Sequence, residues 1–497
     1  MKDLVINKLT YPLLVLLCLC TFFDTSAAEY IDNKKAPNSK LITTVTPFIA
    51  AINSGNKKNI KHFIEQHFST SFMPEGNSDE LVNYLLSLYF GYGELQFHSY
   101  RHYSPTFPNE LLVVVYSPLT ESYQMLSLMN TENNTNKISN FDFSPARWPS
   151  NVKKLKRLSE AKAMNELQSY IHRMSQHDIF TGSVLIARGE QVLLKMATGE
   201  ANKSLQVDNT INTRFDLASM GKMFTAVAIN QLFQSATLTP TDTLDKYLDS
   251  SWLPISISQK IQIQHLLTHT SGLGNYAARM DDVIKSKLVN LIDYKPLFKG
   301  ESLAFEPGTR QQYSNSGMFL LGVVIEKLTS LSYFDYIEQK IFKPSNMKLS
   351  GFLERNQPHN NVAIGYERTN DNTTGWFDNS GVFGIKGTPD GGSFSTVVDM
   401  HQFALALAKN KLLTKSTTKQ MLTNKPALNS HYYGYGFNVS GKNKNHNVGH
   451  EGGHYGISTS FSWYPKTDYT VIVLSNLTEG AASINNKAKA LLERIAH

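Results

Sequence analysis

Apolar positions fall into distinct rhythms along the chain. Phe48, Ile49 and Ile52, then Ile60, Phe63, Ile64 and Phe68, recur at helical spacing with Gly55 as the break, which predicts two helices. Strand-like runs follow at Glu94–Tyr103, Leu111–Tyr116, Tyr123–Met129 and Ile138–Phe143, parted by turns containing Asn and Pro. Pro145 and Pro149 then interrupt the pattern, and a basic run (Lys153, Lys154, Lys156, Arg157) marks a boundary. Beyond it, a helix over Ser159–Ser175 precedes strands at Gly182–Arg188 and Gln191–Ala197, joined through Gly189-Glu190 as a hairpin. Near the C-terminus come strands at Thr459–Tyr464 and Thr470–Leu474 and a helix over Ala481–Ile495. Strands at both ends of one region, with helices between them, predict a single sheet assembled from both chain ends and a helical subdomain in the middle.

The first 28 residues have a different character. Lys2 and Lys8 precede an apolar stretch, Leu13–Phe23, and small residues follow at Ser26, Ala27 and Ala28. Charge, a short apolar core and a small-residue site form the pattern of a secretory signal peptide cleaved after Ala28, with no stable membrane span afterwards. Both cysteines, Cys18 and Cys20, fall inside it, so the expected mature chain has neither disulfide nor thiol. Removing the segment is charge-neutral, leaving the formal net charge of +7 intact. The chain of 497 residues is 41% hydrophobic and 18% charged, which suits packed cores and excludes wholesale disorder. The expected organisation is a signal peptide at 1–28, a small α+β accessory domain at 29–150 and a larger domain at 155–497. Two helices followed by antiparallel strands make 29–150 similar in topology to the cystatin-like or nuclear-transport-factor-like (NTF2) cone. No internal repeat or low-complexity tract is present, and nothing in the sequence sets an oligomeric state.

Chemistry concentrates in three places. In Phe215-Asp-Leu-Ala-Ser219-Met-Gly-Lys222, the following Met223, Phe224, Val227 and Leu232 form a buried helix face, so Ser219 opens a central helix with Lys222 one turn on. A serine there has its N–H free to face a developing oxyanion, and a neighbouring lysine can take its proton. Ser-x-x-Lys alone is weak evidence, since it recurs at Ser54/Lys57, Ser159/Lys162, Ser345/Lys348 and Ser416/Lys419. The second place is Phe305-Glu-Pro-Gly308 leading to Tyr313-Ser-Asn315 and a further buried helix. Tyr313 is the only one of 23 tyrosines followed two residues later by asparagine. A phenol beside an ammonium is a proton shuttle; the bland alternative is a core tyrosine with a capping asparagine. The third is Gly449-His450-Glu-Gly452-Gly453-His454. It matches the His-Glu-x-x-His zinc-protease pattern, which needs a helix that two adjacent glycines oppose; a strand close to a substrate fits better. His265 and His269 are spaced for a metal but lack a third ligand, so structural roles are expected.

In this order, Ser219-Met-Gly-Lys222, Tyr313-Ser-Asn315 and His450-Glu-Gly452 resemble the serine β-lactamase and penicillin-binding-protein superfamily, especially class C β-lactamases, DD-peptidases and related esterases. The resemblance covers about residues 165–497 and is supported by His265-Leu-Leu-Thr-His-Thr-Ser-Gly-Leu273 and Gly391-Gly-Ser-Phe-Ser-Thr396. It implies an α+β fold: an antiparallel sheet flanked by helices, with a mostly helical subdomain. It implies Ser219 as acylated nucleophile and Lys222 and Tyr313 as proton-transfer partners. Asn315 would hold the substrate amide beside a substrate-binding strand at His450, Gly452 and Gly453, and the N–H groups of Ser219 and Gly453 would form the oxyanion hole. No cofactor or metal is implied. Many true β-lactamases have Lys-Thr-Gly where this chain has His-Glu-Gly, replacing a fixed cation with an imidazole that is mostly neutral at pH 7. The expectation is a periplasmic or secreted serine hydrolase acting on a small-molecule or peptide amide or ester, with no nucleic-acid partner. The alternative is an acylatable sensor of the same fold that does not turn over.

Overall fold

The computed structural model describes residues 29–70, 72, 78–104, 109–130, 136–153, 155–369 and 375–495. The segment 1–28, expected from sequence to be a signal peptide and carrying Cys18 and Cys20, lies outside the described residues, as does Lys154. The chain divides into two compact units, 1–154 and 155–497.

In the first unit, strand β1 (Glu29–Asn33) precedes helices α1 (Ile42–Asn53), α2 (Lys57–His67) and α3 (Ser78–Tyr92). Strands β2 (Gln96–Ser104), β3 (Glu110–Ser117), β4 (Ser122–Met129) and β5 (Asn140–Pro145) follow. The strands form one antiparallel sheet in sequential order. Leu111, Val113 and Val115 alternate along β3 into a core shared with Phe48, Phe63, Phe68 and Leu85. Two elements differ from expectation: there are three helices rather than two, and β1 adds an edge strand. Helix α3 buries Val82, Leu85, Leu86 and Leu88, a spacing that was present but overlooked. Strand β1 is short and polar and is recognisable only by its partner β2.

The second unit opens with α4 (Glu160–Gln176), whose N-cap Ser159 accepts a hydrogen bond from the Lys162 N–H. Hairpin β6 (Gly182–Arg188) and β7 (Gln191–Thr198) follows. The middle of the chain carries the central helices α5 (Lys222–Gln234), α6 (Asn315–Thr329) and α7 (Val397–Ala408). Strands β8 (Asn438–Ser440), β9 (Asn447–His454), β10 (Ile457–Tyr464) and β11 (Tyr469–Ser475) come next, and α8 (Gly480–Arg494) ends the described chain. The sheet runs β8-β9-β10-β11-β6-β7, every pair antiparallel, so β6 from the start of the unit pairs with β11 from its end.

Both faces of this sheet are covered. Leu185, Ala187, Ile472 and Leu474 face the large core containing α5, α6 and α7. Their alternating neighbours Val184, Ile186, Val471 and Val473 are equally buried on the other face, where α4 and α8 pack. Helix α5 is buried almost all round, the mark of a central helix. Among the described residues no single helix is long and apolar enough to cross a membrane.

Candidate active site

Ser219 sits in a tight turn of 3-10 helix, Ala218–Gly221, that runs directly into α5. The residue before it is strained: Ala218 has φ of 44°, a left-handed conformation that costs a residue with a Cβ of order 1–2 kcal/mol. The surroundings fix that turn. The Ala218 N–H donates to Asp216 Oδ1 at 2.8 Å, the Leu217 N–H to the Ser393 carbonyl at 2.8 Å, and the Gly392 N–H to the Ala218 carbonyl at 3.2 Å. Thr459 Oγ1 on β10 donates to the Leu217 carbonyl at 2.9 Å. The Ser219 hydroxyl is thereby held half-buried at the edge of the core.

Two glycines are required by this close approach. A Cβ on Gly452 would lie 2.2 Å from the Leu217 carbonyl oxygen and 3.1 Å from the Ser219 nitrogen; one on Gly391 would lie 2.6 Å from the Ala218 oxygen. Strand β9 and the Gly391–Gly392 loop therefore press their bare backbone against the serine turn. Gly453, the next residue on β9, is exposed.

Lys222 is 0% exposed. Its Nζ donates to Ser219 Oγ at 3.0 Å and to the backbone carbonyl of Asp390. It lies 4.8 Å from the centre of the Tyr313 ring. Among the described residues it makes no ion pair with a carboxylate. The Asp390 side chain accepts from Tyr276 Oη at 2.8 Å and Thr388 Oγ1 at 2.7 Å, and burial raises its pKa against the opposing pull of Lys222.

Tyr313 is not a core residue: it is 46% exposed. Nor does Asn315 cap α6. That role falls to Ser314, whose Oγ accepts from the Gly317 N–H at 2.9 Å and donates to the Gly274 carbonyl at 3.0 Å. Asn315 is the first helical residue. Its Nδ2 donates to Asn275 Oδ1 at 3.3 Å, while its Oδ1 is buried with no partner among the described residues.

The third motif lies on strand β9, which settles the geometry of its histidines. Residues four apart on a strand are roughly 13 Å apart, too far to share one ion. His450 is buried and His454 exposed, its ring against Phe383. Glu451 faces the other way, 3.9 Å from Lys489. His450 Nδ1–H donates to the Glu451 carbonyl at 2.6 Å, so its Nε2 accepts from Tyr433 Oη at 2.9 Å. Burial, and then Lys222, hold His450 down to about 3, so it is neutral. Its neighbour Tyr433 is pushed well above the usual phenol range by burial.

His265 and His269 also have local partners. His265 Nδ1 accepts from the Gln262 N–H at 3.1 Å. His269 Nδ1 accepts from the Ser314 N–H at 3.2 Å, and its ring packs between those of Tyr313 and Tyr433. Among the described residues no group of three or more His, Cys, Asp and Glu side chains is placed to hold a metal ion. The structure thus brings Ser219, Lys222, Tyr313, His450 and Gly452 into one neighbourhood. Tyr433, Asp390, Tyr276 and Ala218 were missed from sequence. Asp390 alone had a local pointer, immediately before the Gly391-Gly392 pair.

An antiparallel sheet covered on both faces, with a serine on a tight turn between its edge and a helical core, defines a serine-hydrolase-like fold. The chain belongs to the β-lactamase family, whose model matches residues 167–494. It is similar to penicillin-binding protein 4* of Bacillus subtilis (strain 168), 30% identical over 339 residues, covering 63% of this chain and 72% of that protein. It is also similar to protein flp of Staphylococcus aureus (strain N315), 28% identical over 323 residues, covering 63% of this chain and 64% of that protein. Among solved structures, a penicillin-binding protein from Bacillus halodurans matches with a TM-score of 0.59 and 29% identity, over 67% of this chain and 99% of that one. Membership in this family supports catalytic activity on amide or ester bonds in general.

Proposed function

We propose that this protein is a periplasmic or secreted serine hydrolase that works through an acyl-enzyme on Ser219. The observation that carries the reading is the 3.0 Å contact between Lys222 Nζ and Ser219 Oγ in a buried setting, where the lysine's other polar partner is a backbone carbonyl. Ser219 Oγ attacks the carbonyl carbon of an amide or ester while Lys222, acting as the free amine, takes its proton, which passes by way of Tyr313 to the departing amine or alcohol. The N–H groups of Ser219 and Gly453 hold the oxyanion, and Asn315 Oδ1, which has no partner among the described residues, accepts from the substrate amide. Water then releases the acyl group. The signal-like segment 1–28 supports export, and the names of the penicillin-binding relatives agree with it. We assign residues 29–150 an accessory role on a cystatin-like or NTF2-like cone, and residues 155–497 the chemistry.

The test is covalent. A neutral fluorophosphonate should add its mass to Ser219 in the wild type and not in Ser219→Ala. Equal labelling of the two proteins removes the assignment. Labelling without turnover on short-chain esters, D-alanyl peptides and a chromogenic cephalosporin would favour a sensor over an enzyme.

A further inference from the structure

We propose, building on the serine-hydrolase reading above, that the subsite formed by β9 takes an uncharged group. Tyr433 is the residue that sets this specificity by locking His450. The substrate class is then a neutral ester or amide, without a free carboxylate lying against His450.

The argument rests on where each polar atom is spent. A substrate carboxylate on this strand, as distinct from the oxyanion given to the Gly453 N–H, needs a cation or an unengaged side-chain N–H as partner. His450, 4% exposed, offers neither: Nδ1–H goes to the Glu451 carbonyl, and Nε2 is filled by the Tyr433 hydroxyl. Tyr433, also 4% exposed, has donated its one proton. The ring cannot swing easily, because Tyr433 is itself packed against His269, with ring centres 4.8 Å apart. Glu451, the only side chain between His450 and the two glycines, points away toward Lys489. Gly452 and Gly453 contribute backbone alone. With the Gly453 N–H given to the oxyanion, what remains along β9 is main-chain N–H and C=O in strand arrangement, which matches the alternating acceptor and donor of an ester or amide and supplies no counter-charge for a carboxylate. A carboxylate placed there would lose its water without gaining a counter-ion, and a buried unpaired charge is strongly unfavourable. Lys222 is 0% exposed, with Nζ engaged by Ser219 and the Asp390 carbonyl, and so is not presented to this strand's subsite.

The experiment uses the full mature protein and a matched pair differing in one charge: a penicillin with its free carboxylate, and the methyl ester of the same penicillin. Each is scored by the rate at which it blocks fluorophosphonate labelling of Ser219. The ester should block at least as fast as the acid, with a ratio unchanged between low and high salt. Tyr433→Phe removes the donor that fills Nε2, so the ring can be protonated there and present an N–H to a carboxylate; the ratio should move toward the acid by about threefold to tenfold as the pH is lowered from 7 to 5. A purely structural role for Tyr433 would slow both members equally. A wild-type enzyme blocked faster by the free acid overturns the proposal, as does a Tyr433→Phe ratio identical to that of the wild type. Failure of the fluorophosphonate itself to label Ser219 is a separate result, which removes the serine-hydrolase reading instead.

Discussion

Each unit of the protein buries a basic side chain, and the two are treated in opposite ways. In the first unit Arg101 and Asp32 have side chains 1% and 0% exposed and are bonded fork to fork, Nε to Oδ1 at 2.9 Å and Nη2 to Oδ2 at 3.0 Å. Nη2 also reaches the Arg147 carbonyl, the Ser150 N–H donates to Asp32, and the guanidinium lies 4.0 Å over the Tyr30 ring. In the second unit Lys222 is just as buried, yet its partners are a serine hydroxyl and a carbonyl. Asp390, the acid of the surrounding network, gives its carboxylate to Tyr276 and Thr388. A charge matched by a carboxylate is a structural fixture. On the function proposed above, a lysine left beside a hydroxyl, with an exposed tyrosine over it, is the group that takes part in proton transfer. On that reading, the contrast separates a buried basic group that holds the fold from one that serves the chemistry.

The largest effect that can test this contrast is catalytic. Lys222→Ala should slow acylation of Ser219 by about 10²–10⁴-fold, the usual weight of a positioned proton-transfer group, measured as the second-order rate of fluorophosphonate labelling. A rate within a few-fold of wild type would place Lys222 with Arg101 among the fixtures. The converse change is one of stability. Arg101→Ala leaves Asp32 buried without its partner and should destabilise the first unit by about 3–5 kcal/mol, read as a lowered denaturant midpoint. A loss below about 1 kcal/mol would mean that the pair is incidental.

The histidines of the second unit sharpen the comparison by pH. Burial holds His450 to about 3 and His265 to about 4, against 6.5 for an exposed imidazole. Below pH 6.5 the unfolded chain takes up protons that the native sites refuse, so the unfolded state gains. The stability these groups contribute is complete above pH 6.5 and is lost progressively as pH falls toward about 4 and then about 3. His265→Gln should reduce the loss of stability between pH 7 and pH 5, measured by urea midpoints at each pH. An unchanged difference would show that His265 takes up its proton in the native state as readily as in the unfolded chain.

How much of this was written locally in the chain follows the same division. Strands β6, β7, β10 and β11 and helices α4 and α8 were legible because their patterns are regular and their caps and turns are local, such as Ser159 and Gly189. Helix α3 was missed although Leu85 and Leu88 carried its spacing, because a nearly continuous apolar run blurs the period. The Ser219–Lys222 pair was visible as a spacing, but other Ser-x-x-Lys pairs had the same spacing, and only the apolar helix behind Ser219 distinguished it. Tyr433 was invisible. It touches His450 across 17 positions of sequence, and one tyrosine among 23 carries no mark of a distant partner. The left-handed Ala218 was equally hidden, since the strain is imposed by Asp216, Ser393, Gly391 and Thr459 rather than by its own side chain.

Ser314 provides the smallest and most discriminating test, because it is a structural residue lying between two candidate site residues. Its hydroxyl closes the first turn of α6 by accepting from the Gly317 N–H and ties that turn to the Gly274 carbonyl. Its own N–H donates to His269 Nδ1, a backbone contact that survives substitution. Ser314→Ala should therefore cost about 1 kcal/mol of stability through the lost cap. Tyr313 and Asn315 would remain in place, because the His269 contact and the packing of α6 still position them. Labelling of Ser219 should fall by no more than a few-fold. A loss of labelling as large as that of Lys222→Ala, at unchanged stability, would mean that the hydroxyl acts on the reacting atoms. The boundary drawn between fixtures and working groups would then have to move by one residue.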